Sequence, residues 1–180
     1  MIVVVPAALV LTLAVLGLHP GVFVARATAW HGLPANIRTT DDLRPLIEDL
    51  LARSPTLREQ TARISIARKT WVSVTLSSGR LPSLVRARST ARRYHTGLLV
   101  VDVEIPPASQ DFAELLAHEL EHVTEFIEAV DFKKLARTRH AGVVQCGSDG
   151  SFETERAQKA GRTVKFEVEV PPDARRSVQR

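Results

Sequence analysis

The chain has 180 residues, enough for one domain with a short appendage and too few for two enzyme domains. Hydrophobic residues make up 44 % and charged residues 24 %, which excludes global disorder, and 9 Gly with 10 Pro in no period exclude collagen-like and low-complexity chains. The net charge of +4 is compatible with an anionic partner without requiring one, and the single cysteine, Cys146, excludes an intrachain disulfide and a Cys-rich zinc finger.

Residues 2–18 are apolar except Thr12, and His19-Pro20-Gly21 ends the run. Ala25-x-Ala27 and Ala27-x-Ala29 follow, the small-residue spacing a signal peptidase cuts. Residues 1–29 are therefore expected to be a signal peptide. An uncleaved anchor is the alternative, since no Lys or Arg precedes the run. The mature protein is expected to be exported, periplasmic or extracellular, and held at a membrane only if this segment stays. Residues 30–170 form the expected domain and 171–180 a flexible tail.

Residues 30–39 read as a polar lead-in. Thr39 or Thr40 caps a helix from Asp41-Asp42, whose apolar positions are Leu43, Leu46, Ile47, Leu50 and Leu51. Ser54-Pro55 supplies the cap and first residue of a second helix carrying Leu57, Ala62 and Ile64. Residues 71–76 are β-rich and stop at Ser77-Ser78-Gly79. The basic stretch containing Arg86, Arg88, Arg92 and Arg93 lacks interleaved aromatics apart from Tyr94. It reads as a solvated strand or loop, and no nucleic-acid partner is expected. Residues 98–105 form a strand stopped by Pro106-Pro107.

A helix is predicted over 112–130, with Leu116, Leu120, Val123 and Ile127 as its stripe and Asp111 and Glu114 at capping-box spacing. Lys133, Lys134, Arg137 and Arg139 complement its negative end. Residues 141–151 read as a loop. A further helix is expected from 152 to 160, closed by Gly161, and the alternating residues 164–170 read as a strand, with a helical continuation as the other reading. The fold class is α+β: a helical pair packed on a small sheet, with the 112–130 helix beneath its edge.

Within that helix lies His118-Glu119-Leu120-Glu121-His122. Histidines at i and i+4 share one face, so both imidazoles reach one metal ion. Glu119 is rotated by about 100° from His118 and reaches a water on the metal rather than the metal. Zinc lowers the pKa of such a water to about 7, and Glu119 can accept its proton. The competing reading is a solvated acidic face made by Glu114, Glu119, Glu121, Glu125 and Glu128.

On HExxH, the preceding strand and the downstream helix, about a third of the chain, the sequence resembles the zincin metallopeptidases. It is most similar to small, secreted, single-domain proteins of the gluzincin type. The resemblance implies a compact zincin-like fold, a Zn2+ cofactor, a peptide or protein substrate, and an edge strand above the active helix that holds the substrate extended; the 98–105 strand is similar in position. The chain departs from the usual motif at Glu121 and Thr124, and Glu125 and Glu128 exclude the metzincin branch.

A catalytic zinc takes three protein ligands. Candidates for the third are Glu153, Glu155, His140, Asp149 and Cys146. Glu153, Ala157 and Gly161 fall at i, i+4 and i+8, a face of small residues that allows close helix approach, whereas Glu155 pairs with Lys159 at the surface. The expected set is His118, His122 and Glu153 on zinc, with Glu119 catalytic. Cys146 reads as a small semi-buried residue, His140 as a loop residue, and Tyr94-His95 as a further candidate for the cleft wall. The expected function is a zinc-dependent hydrolase, a monomeric metallopeptidase that cleaves peptide bonds by Glu-assisted attack of zinc-bound water. The alternatives are a non-catalytic metal-binding or interaction domain of the cell envelope, and a basic surface-associated protein without metal.

Overall fold

The computed structural model describes residues 32–79, 85–107, 109–138, 142–146 and 151–171. The expected signal segment, His140, Asp149, Arg139 and almost all of the expected tail lie outside them. Among the described residues no helix is long and apolar enough to cross a membrane.

The order is β1 (Ile37–Thr39), α1 (Arg44–Arg53), α2 (Pro55–Ser65), β2 (Thr70–Leu76), β3 (Arg88–Arg93), β4 (Leu99–Ile105), α3 (Phe112–Ile127), α4 (Phe132–Ala136), β5 (Val143–Cys146), β6 (Ser151–Thr154) and α5 (Glu155–Glu169). The fold is α+β, with a four-stranded mixed sheet in the order β1-β2-β4-β3 and a separate β5-β6 hairpin. β1, β2 and β4 are parallel and β3 is antiparallel to β4. Parallel neighbours need a crossover, and α1 and α2 provide it between β1 and β2.

One face of the sheet is buried. Val72, Val74, Leu99, Val101, Val103 and Ile105 alternate inward and join Ile47, Leu50, Leu57 and Ile64 of the helical pair in one core. The outer face carries charge. Arg88 pairs with Glu104, its register partner on β4, and Arg92 with Asp102. The basic stretch is thus half of a cross-strand ion-pair ladder, which explains arginines in a strand with so few apolar residues.

α3 is buried almost all round, with Leu116, Leu120 and Val123 on the sheet side. Its other side receives α5. Ala157 and Gly161 are buried on the contact face, and a Cβ on Gly161 would sit 2.9 Å from the Glu114 carbonyl oxygen and 3.4 Å from His118 Cβ. Any side chain there would force the helices apart, so the small-residue face does what its spacing implies.

Several expectations need correction. Residues 37–39 of the lead-in are strand β1. The first helix starts later than Asp41, with Thr40 contributing its carbonyl to the Leu43 and Arg44 N–H groups. Asp111 and Glu114 form no capping box: both are drawn to Lys165 and Arg86, a stronger offer than a backbone N–H. The 141–151 loop contains β5 and the first residue of β6. Gly161 does not close a helix, and residues 164–170 are not a strand. α5 continues to Glu169 because Val164 and Val168, four apart, both face the core, while Lys165 and Glu167 find partners on the ends of α3 and α2. Glu167 accepts from the Ser54 and Thr56 hydroxyls at the N-terminus of α2, where a carboxylate is favoured.

Candidate metal centre

α3 projects His118, Glu119 and His122 toward one cleft, and the last residues of β6 bring Glu153 across from them. The His118 Nε2 lies 3.2 Å and the His122 Nε2 3.9 Å from the same oxygen of Glu153, Oε1. One donor atom from each of the three residues falls within 4.8 Å of the others. The three side chains chosen from the sequence are therefore brought together. Glu153 reaches the cluster from a strand, not from the helix expected to carry it, because α5 begins at Glu155 with Thr154 as its cap.

The remaining candidates go elsewhere. Glu155 is exposed on the first turn of α5. Cys146 ends β5 and lines the cleft wall outside the three-residue cluster. Tyr94 and His95 sit in the β3–β4 turn, away from the cleft.

Glu119 is buried beside the cluster, and the Ser89 hydroxyl of β3 donates to its Oε2 at 2.5 Å. Burial pushes the Glu119 carboxyl above its ordinary range, and the Ser89 bond and the two histidines offset this only in part. His122 Nδ1 lies 2.8 Å from Glu125 Oε2. A carboxylate can only accept, so Nδ1 carries its proton toward Glu125, and Nε2 is the ring nitrogen turned to Glu153. Burial alone would lower the His122 pKa, but Glu125, Glu119 and Glu153 outweigh it and raise it. Burial also lifts the Glu153 carboxyl, and the bond from His118 with the charges of both imidazoles overcomes this and holds it below the usual value.

The acidic residues of α3 do not form a solvated face. Glu119, Glu121 and Glu125 are each 4 % exposed or less. Glu121, the departure from the usual motif, points away from the cleft. It accepts from Gln60 Nε2 at 2.7 Å and from Arg156, with Arg63 at 3.7 Å, and so ties α2, α3 and α5 together. A buried carboxylate with partners on both sides is tolerated.

The cleft measures about 660 Å³ and runs between residues 85–89, α3, Cys146 and residues 151–153 of the β5-β6 hairpin, and α5. Phe132 stacks on Phe152 at 5.7 Å and meets Phe126 edge-on at 5.6 Å, giving the cleft one apolar wall beside His122. No protein-family model, curated protein or solved structure matches this chain, so the functional reading rests on the cleft itself.

Sequence reasoning missed Ser89, Glu125 and Thr154. For Glu125 a signal existed: it lies three residues after His122, one helical turn along the same face. Ser89 carries no local signal, because it acts across the fold, and Thr154 carries only that of an N-cap, with nothing local to mark its bond to Glu125.

Proposed function

We propose that the chain is an exported zinc-dependent metallopeptidase of the zincin type with a gluzincin-like ligand set. The observation that carries this reading is the meeting of His118 Nε2, His122 Nε2 and Glu153 Oε1 beside a buried Glu119 that is not itself one of the three.

The residues fit the ion. Zinc favours two imidazoles and a carboxylate at about 2.0–2.2 Å in tetrahedral array, which puts ligand atoms about 3.3 Å apart. The separations of 3.2 and 3.9 Å to Glu153 Oε1 approach that value, and the three donor atoms lie within 4.8 Å of one another. His118, His122 and Glu153 would hold zinc and leave one position open. When bound, zinc supplies Lewis acidity, lowering the pKa of a water and polarising the scissile carbonyl.

The chain's own residues supply the rest. Glu119 takes a proton from the attacking water and delivers it to the amine as the C–N bond breaks, and Ser89 fixes the carboxylate for both transfers. The edge strand beside the active helix is β3, not the interior strand β4 suggested by the sequence. Its outer edge offers backbone groups to an extended peptide, the arrangement in which a zincin holds its substrate.

The test is hydrolysis of a mixed peptide library by the purified chain. Cleavage that stops on chelation and returns with zinc is the expected result. Stoichiometric zinc binding with no cleavage of any peptide would instead assign the chain a non-catalytic metal-binding role.

A further inference from the structure

We propose that Thr154 and Glu125 are positioning residues that lock Glu153 and His122 to one another through the N-cap of α5. The inference rests on the metal-binding reading above and concerns how the chain keeps its donors converged.

Thr154 is in contact with both sides of the cluster. Its backbone N–H donates to Glu153 Oε1 at 3.0 Å, the same oxygen that faces both imidazoles. Its hydroxyl donates to Glu125 Oε1 at 2.8 Å and accepts from the Ala157 N–H at 3.0 Å. The other oxygen of Glu125, Oε2, is the partner of His122 Nδ1. Thr154 and Glu125 are each 3 % exposed, so water does not replace these partners. A hydroxyl has one proton, and here that proton is committed to Glu125 while a lone pair serves the helix cap. A line of bonds therefore runs from His122 through Glu125 and Thr154 to Glu153, joining α3 to the β6–α5 junction. The close seat of α5 on α3 at Gly161 holds the two elements at the spacing this line needs.

The bland reading is that Thr154 only caps a helix. Ser54 provides the matched comparison. Its hydroxyl caps α2 by accepting from the Leu57 N–H at 3.0 Å, and it too donates to a carboxylate, that of Glu167, but it lies outside the cleft. Removing either hydroxyl costs a helix cap and a bond to a carboxylate, and only the change at Thr154 touches the cluster.

Zinc titration of the full chain and thermal melting of its metal-free form separate the two. Thr154→Val and Glu125→Gln are expected to weaken zinc binding by about 10–100-fold, the range seen when a ligand loses its hydrogen-bond support. Thr154→Ser keeps the hydroxyl and is expected to stay within about threefold of the wild type. Ser54→Ala is expected to melt lower, as Thr154→Val does, yet bind zinc like the wild type. In the cobalt-substituted protein the visible bands should change in Thr154→Val and not in Ser54→Ala. Glu125→Gln leaves the α5 cap in place, so the test stands even if Thr154→Val fails to fold. Wild-type zinc affinity in Glu125→Gln and in any folded Thr154→Val, or an equal loss in Ser54→Ala, would overturn the positioning role. Absence of zinc binding in the wild type would overturn the metal reading itself, and this role with it.

Discussion

Glu119→Gln is expected to lower peptide hydrolysis by about 10³-fold at saturating zinc while leaving zinc affinity unchanged. The amide has the carboxylate's shape, and its oxygen can still accept the Ser89 hydroxyl that holds Oε2. It cannot take a proton from water. Because Glu119 lies outside the three-donor cluster, metal binding is spared. Full hydrolytic activity in this variant would remove Glu119 from the mechanism. The same substitution has an opposite effect on the fold. Burial raises the Glu119 pKa, so the folded metal-free protein holds this proton more tightly than the unfolded chain does. The stability from that proton is present below the unfolded value, near pH 4.5, and is lost as pH rises through the folded value. At pH 7 the buried carboxylate is a cost that glutamine removes. Metal-free Glu119→Gln should therefore melt above the wild type at pH 7, with the gap closing below about pH 4. A lower melting temperature at pH 7 would contradict the burial argument.

Glu153→Gln is expected to weaken zinc binding by more than about 100-fold, beyond the effect of losing a supporting hydrogen bond. Glu153 faces both imidazoles with one oxygen, and burial disfavours its charge except where those rings, or a cation, compensate it. An amide oxygen offers no charge to the ion. Glu155→Gln, two residues along and exposed on α5, should stay within about twofold of the wild type. Calorimetric titration of both variants decides between them, and the reverse order of losses would transfer the ligand role to Glu155.

The sequence carried the site further than it carried the elements around it. HExxH on a strongly striped helix places His118, Glu119 and His122 on one structure whatever surrounds it. The strands Thr70–Leu76 and Leu99–Ile105 were legible because their apolar residues alternate and one face is buried. Glu153 is only partly legible. Ala157 and Gly161 do form a close-approach face on α3, but Glu153 itself belongs to a hairpin strand ahead of that helix. The hairpin is not legible because β5 is mostly exposed, so no apolar pattern marks it. β1 is three residues long, too short for any period to show. Residues 164–170 alternate as a strand does, and only Asp111, Glu114, Ser54 and Thr56, all distant in sequence, reveal why the polar positions suit a helix. The burial of Glu121 and Glu125 was equally hidden, since their partners Gln60, Arg156 and Thr154 come from three other elements.

The most direct measurement is the zinc content of the purified chain after zinc is supplied, beside His118→Ala. One zinc per wild-type chain, lost in the variant, is the expected result. A wild type that takes up no zinc, or a variant that keeps it, would show that His118, His122 and Glu153 do not form a zinc site.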